Sequence, residues 1–245
     1  MPALRLITAH DDDPARDTAL STALLQRVDS GEVEATLRLW TPGRIVAFGS
    51  QDRTQPGYPA AVDAATGLGF DAVERLAGGK AAVFHEGTIA FAWTTPHPDP
   101  KSGIGERFRA ISTIVIDALS RLDVTGAVGE VPGEYCPGRF SVQVGGLKVM
   151  GVGQRLVKYA AHVGGVLVVH SPGLVNLPLL PVYEALGYEW RPGATGAIER
   201  PLDDVIEAMT GAFATAGHSL RPSQFEPATA AIAADIADRH QPRIP

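Results

Sequence analysis

The chain has 245 residues, 45% hydrophobic and 20% charged, with a net charge of -6. That length buries one large core, or one core with an appendage, and the acidic balance argues against a dedicated nucleic-acid binder. A single cysteine excludes an internal disulfide and a cysteine-rich zinc site. Residues 1–13 turn acidic at once, and nowhere do about 20 apolar residues run together, so the expectation is a cytoplasmic protein without secretory signal or membrane span.

Residues 4–7 read as a short strand. Asp11-Asp12-Asp13-Pro14 caps a helix over 15–29, with Ala19, Leu20, Ala23, Leu24 and Val28 at helical spacing and Gly31 beyond its end. Alternation predicts strands at 35–40 and 45–48, joined by a Pro42-Gly43 turn, then a short helix at 59–67 and a strand at 70–76. That strand runs into Ala77-Gly78-Gly79-Lys80, followed by apolar residues 81–84, His85 and a strand at 88–94. After a proline-rich loop, 104–122 is the longest helix, with Phe108, Ile111, Val115, Ala118, Leu119 and Leu122 as its inward stripe.

Residues 133–154 read GEYCPGRFSVQVGGLKVMGVGQ and hold the lone cysteine, Cys136. Tyr135-Cys136-Pro137-Gly138 is a turn sequence: Pro137 fixes its own φ, and Gly138 is the residue free to take a positive one. Phe140, Val142 and Val144 alternate with polar residues, and Gly145-Gly146 is a hairpin signal. In the returning strand Lys148 is expected on the face opposite Leu147 and Val149, while Gly151 and Gly153 leave backbone bare.

Residues 159–170 hold an apolar strand whose Gly164-Gly165 pair implies a bulge or a close backbone approach. Residues 175–177 and 181–186 read as a short connecting element and 191–197 as a loop. Helices are expected at 201–215 and 227–239. The fold class is α/β (α+β): a mixed, largely antiparallel sheet flanked by helices. The domain division expected is a catalytic domain over 1–190 and a C-terminal helical extension over 191–245 packed on it.

The candidate chemistry has ordinary counterparts. Gly78 and Gly79 expose backbone N–H groups that suit an anion or carbonyl oxygen, with Arg75 and Lys80 adding charge, or they form a plain turn. His85 is a general base, a substrate contact, or a strand-end histidine bonded to backbone. Cys136 is an inert small hydrophobe, or a turn-placed nucleophile activated by nearby cations. Lys148 is a solvent-facing or a functional cation. The histidines show no metal spacing, so no metal site is expected.

Taken together, Arg75-x-x-Gly78-Gly79-x-Ala81-x-Val83 with His85, and Lys148-Val-Met-Gly151-x-x-Gln154, resemble the lipoate–protein ligase and octanoyltransferase superfamily, over roughly residues 15–186. The resemblance implies the biotin/lipoate protein ligase-like catalytic fold. Tyr135-Cys136-Pro137-Gly138, then Lys148 and Gln154-Arg155, look most like the octanoyl-[glycine cleavage H protein]:protein octanoyltransferase branch. That branch implies transfer of an octanoyl or lipoyl group through a Cys136 thioester to a lysine of a lipoyl carrier domain. Lys148 would sit by the acyl carbonyl oxygen. Arg75, Gly78, Gly79, Lys80, His85, Gly138, Gly151 and Gln154 would bind substrate, with Arg75, Lys80 and His85 at the mouth. Partners would be an octanoyl or lipoyl carrier as donor and a lipoyl domain or glycine cleavage H protein as acceptor; the chain would be a monomer needing no cofactor. An alternative is an ATP-dependent lipoate–protein ligase, using ATP and Mg and holding a lipoyl-adenylate at Lys148. A third is a non-catalytic binding module for acyl carriers or small acids.

Overall fold

The computed structural model describes residues 3–244. Its larger sheet has eight strands, built around β6 (Thr88–Pro96). On one side of β6 lie β2 (Thr36–Trp40), β1 (Ala3–Ile7) and β11 (Ser219–Pro222); on the other lie β10 (Ala160–Val168), β9 (Leu147–Leu156), β8 (Val142–Val144) and β7 (Gly126–Val128). β1 pairs parallel with both β2 and β11, and the remaining pairs of this sheet are antiparallel. A second sheet has β3 (Ile45–Phe48) between β4 (Asp71–Glu74), parallel to it, and β5 (Ala82–Phe84), antiparallel. The chain is thus α/β with a mixed, largely antiparallel main sheet.

Among the described residues six α-helices flank the sheets. In α1 (Pro14–Asp29), Asp13 Oδ1 accepts the N–H groups of Ala15 at 2.9 Å and Arg16 at 3.3 Å, so the aspartate run caps the helix as its sequence implies. α3 (Ile104–Arg121) and α5 (Leu202–Thr215) cover one core with Leu37, Leu39, Phe91, Ile111, Val115, Met209 and Phe213. α2 (Tyr58–Gly67) and α4 (Pro172–Ala185) cover another with Val46, Phe48, Phe70, Val83, Leu179 and Tyr183. α6 (Pro227–Ile236) packs on α1.

Three elements depart from expectation. Residues 172–185 form one helix with prolines at 178 and 181 inside it, where a short connecting element at 175–177 and 181–186 was expected. Burial of Val175, Leu179, Val182 and Tyr183 on one face offsets the two hydrogen bonds those prolines remove. Within 191–245, expected to be helical, β11 joins the edge of the main sheet, and Ile198 N donates to Val168 O at 3.0 Å. β10 carries no bulge: Gly164 and Gly165 keep register with both neighbours. The close-approach reading is the correct one, since a Cβ on Gly165 would meet the Phe91 ring at 2.5 Å.

The two sheets meet beside the glycine turn after β4. A Cβ on Gly153 of β9 would stand 2.9 Å from the Gly78 carbonyl oxygen. Bare backbone on β9 therefore lets the 75–80 segment lie against the main sheet, and the site is built on that contact.

Candidate active site

Cys136 sits on the loop between β7 and β8, with φ at +40°. The left-handed residue of this turn is the cysteine itself and not Gly138, which has no positive φ. Such a backbone at a non-glycine residue costs of order 1 kcal/mol or more and persists only where the surroundings enforce it. They do. Cys136 N donates to the Tyr183 hydroxyl at 2.9 Å, and that hydroxyl donates to Ala81 O at 3.0 Å. Tyr183 thus ties the thiol loop to the start of β5.

Glu134 holds the loop from inside. Its Oε1 accepts from Gly138 N at 2.8 Å and Ser141 Oγ at 2.7 Å, and its Oε2 from Val131 N at 3.1 Å. The same carboxylate lies 3.3 Å from Lys148 Nζ, with both side chains buried. Lys148 also donates to Tyr135 O at 2.9 Å and Cys136 O at 3.0 Å. An ammonium has three protons, and these three acceptors account for them. Lys148 therefore grips the main chain of the cysteine loop and does not point into open space. It is fully buried, although strand alternation placed it opposite buried Val149, because β9 is covered on both faces here. A Cβ on Gly151 would press to 3.3 Å from Lys148 Cε, so that glycine makes room for the side chain.

The thiol faces the glycine turn. Lys80 N donates to Cys136 Sγ at 3.3 Å and Arg75 Nη2 lies 3.5 Å from it. Arg75 Nη2 also donates to Lys80 O at 2.6 Å, which fixes the turn around the sulfur. Gly79, at φ +107°, has no room for a side chain: a Cβ would lie 2.9 Å from Sγ and 2.4 Å from Arg75 Nη2. Burial pushes the Cys136 thiol up, but the charges of Arg75 and Lys148 and the hydrogen bonds from Arg75 and Lys80 outweigh it. The thiol comes to rest below its ordinary range. Burial likewise pushes Lys148 down, by more than Glu134 and Cys136 pull it up.

Three hollows adjoin this turn. One is a cavity between the sheets, with Arg75, Leu76 and Ala77 at one end and Trp40, Ile45, Phe84 and Phe91 among its apolar walls. The second is an open groove where Cys136, Gly138 and Gly79 meet Ile104, Phe108, Phe140 and Val152. The third, lined by arginines, shares Arg75, Leu76 and Ala77 with the first and Gly78 with the second. Gln154 lines the second and third; its Oε1 accepts from Arg107 Nε at 3.0 Å and its Nε2 donates to Ile104 O at 2.9 Å. The Lys80 ammonium lies over the Tyr188 ring, 4.0 Å from its centroid.

Cys136, Lys148, Arg75, Gly78, Gly79, Lys80, Gly138, Gly151 and Gln154 are thus gathered at one place. His85 is not at the mouth. β5 runs away from Lys80 and pairs Phe84 with Ile45, so His85 lies at the far end of the strand. It is fully buried, its Nδ1 accepts from Gly87 N at 3.0 Å, and burial lowers its pKa from the ordinary value. Glu134 and Tyr183 escaped the sequence reading. The only signal for Glu134 was a carboxylate two residues before the lone cysteine. Among the described residues no group of three or more His, Cys, Asp or Glu side chains is placed to hold a metal, and no helix is long and apolar enough to cross a membrane.

An octanoyl-[GcvH]:protein N-octanoyltransferase of Geobacillus kaustophilus is 27% identical over 71% of this chain and 62% of its own length. One of Anoxybacillus flavithermus is 30% identical over 66% of this chain and 58% of its own length. The match thus spans about six-tenths of these relatives. A crystal structure of lipoate-protein ligase A bound with ATP superposes with a TM-score of 0.80 at 18% identity, covering 98% of this chain and 95% of that one, which establishes the common fold. Residues 13–175, which include the glycine turn, the thiol loop and Lys148, match the lipoyl protein ligase A/B catalytic domain, and the chain belongs to that family.

Proposed function

We propose that the chain is an acyltransferase that holds an octanoyl or lipoyl group as a thioester on Cys136 and passes it to a lysine of a lipoyl carrier domain. The observation that carries this reading is the sulfur itself: a thiol on an enforced left-handed corner, with an amide N–H and a guanidinium on it that favour the thiolate. The curated relatives bear names that describe the same transfer.

In the first half-reaction the thiolate attacks the acyl carbonyl. A C–S bond forms, the donor's bond to its nitrogen or sulfur breaks, and the leaving group takes a proton. An acyl carbonyl on Sγ would lie near the Lys80 N–H, which meets the sulfur at 3.3 Å. The chain of the acyl group runs past Arg75 into the apolar cavity between the sheets. In the second half-reaction a neutral lysine amine of the acceptor attacks the thioester, the C–S bond breaks, the thiolate returns and the amine loses a proton. Lys148 acts through the loop and its charge, since its protons are engaged by Glu134 and by the carbonyls of residues 135 and 136.

The test is intact-mass analysis after incubation with octanoyl-N-acetylcysteamine, a neutral thioester. The wild type gains one octanoyl group, released by hydroxylamine, and Cys136→Ala gains none. A Cys136→Ala protein that still modifies a lipoyl domain, or modification that requires free lipoate with ATP and Mg, overturns the reading.

A further inference from the structure

The third hollow has a charge that the reaction at Cys136 does not use. It is an open groove of about 480 Å³ whose walls include Arg53, Arg155, Arg239 and Arg243. All four are exposed, on a chain whose net charge is -6. Its one acidic lining residue, Glu74, is buried and already engaged: Oε2 accepts from Arg53 at 2.9 Å, and Oε1 from Arg243 N at 3.1 Å. Among the described residues Arg155, Arg239 and Arg243 pair with no carboxylate.

The arginines come from separate elements that are fixed in place. Arg155 ends β9, and Arg239 sits on the turn after α6. That turn is pinned by His240, which lies 2.7 Å from Glu74 O through Nδ1 and 2.9 Å from Thr22 Oγ1 through Nε2. The groove reaches Gly78, which also lines the thiol groove. A body lying along the arginines therefore borders the approach to Cys136.

We propose that this groove docks the carboxylate-rich surface that flanks the acceptor lysine of the carrier domain. The proposal rests on the acyl-transfer reading for the identity of the partner. A protein surface fits better than a phosphate group because the Gly78 amide that borders the groove is engaged, donating to Gln154 O at 3.4 Å, and is not free to cradle an anion. What remains is a row of exposed guanidinia, which suits several carboxylates spread over a surface. A net-negative chain repels an acidic partner elsewhere and steers it here.

The experiment compares wild type with R155S/R239S/R243S, none of which touches the thiol. Affinity for an apo lipoyl domain is measured at low and high salt, alongside self-acylation from octanoyl-N-acetylcysteamine. The triple variant is expected to bind about tenfold more weakly at low salt, with a flatter salt dependence, and to acylate Cys136 at the wild-type rate. R155K/R239K/R243K should restore binding, which separates charge from folding. Unchanged affinity, or an equal loss toward a lipoyl domain whose flanking carboxylates are amides, overturns the proposal. So does a variant that loses affinity for octanoyl-coenzyme A but not for the lipoyl domain, because the groove would then read phosphate. If wild type binds through these arginines yet never acylates Cys136, the thioester scheme fails and the docking surface stands.

Discussion

The molecule holds two buried ion pairs, Arg38 with Asp17 and Lys148 with Glu134, and they do different work. Arg38 meets Asp17 at 2.7 Å and also donates to Ser21 Oγ at 2.7 Å and to the carbonyls of residues 9 and 17. Its guanidinium lies 4.1 Å from the Trp40 ring centroid and 4.9 Å from that of Phe225. Those partners belong to α1, the segment before it, β2 and the C-terminal segment, so the pair joins scaffold elements at the wall of the apolar cavity. Lys148 and Glu134 are as deeply buried, but the partners of their side chains lie on, or within a few residues of, the cysteine loop. Burial and pairing alone do not distinguish the two. The main chain that each pair holds does.

The largest effect is expected from Lys148→Met, which leaves Glu134 as an unpaired buried carboxylate. Breaking such a pair costs about 3–5 kcal/mol of stability, read as a fall in the denaturant midpoint. The loop also loses two of its carbonyl anchors, and misplacement of the sulfur should slow octanoyl transfer by about a hundredfold or more. The sign of the pH effect follows from charge. Lys148 favours the thiolate, so its removal raises the thiol pKa, and the pH profile of Cys136 alkylation moves to higher pH. Adding Glu134→Gln to Lys148→Met should recover part of the stability without bringing the profile back to wild type.

Arg38→Met provides the contrast. It is expected to destabilise by a comparable amount, about 3–5 kcal/mol, because Asp17 is left buried and unpaired. The acyl KM should rise modestly, since Asp17 and Ser21 line the cavity. The alkylation profile of Cys136 should stay where it is. A profile that shifts equally in both variants would erase the distinction between scaffold and site.

How much of this was legible in the sequence follows the reach of each interaction. The strands, the Gly145-Gly146 hairpin and the helix stripe of α3 depend on neighbours a few residues apart, and their patterns were readable. The thiol corner was readable from Pro137 and Gly138, but which residue takes positive φ was not, because Tyr183, 47 residues away, helps to decide it. Glu134 acquires its meaning only when Val131, Gly138, Ser141 and Lys148 surround it. α4 was hidden by prolines whose cost is met by tertiary packing. β11 is a short polar edge strand ending in Pro222, and its signal is its pairing with β1. Lys148 misled alternation because that rule assumes one wet face, and at residues 148–150 both faces of β9 are buried.

The smallest effect is expected at the residue whose sequence context was most suggestive. His85 follows an apolar strand and precedes Glu86-Gly87, as a site histidine would. In the structure its Nδ1 accepts from Gly87 N at 3.0 Å, its main-chain N–H donates to Thr88 Oγ1 at 3.1 Å, and Nε2 has no partner. The ring shapes the turn into β6 and faces none of the three hollows around the thiol. His85→Asn puts Oδ1 close to where Nδ1 was and keeps the acceptor for Gly87. Stability should change by about 1 kcal/mol or less, and both self-acylation and transfer to a lipoyl domain should run at wild-type rates across neutral pH. A tenfold fall in transfer with normal self-acylation would return His85 to the reaction as a base for the incoming amine. That result would require the turn after β5 to move toward Cys136 when the acceptor binds.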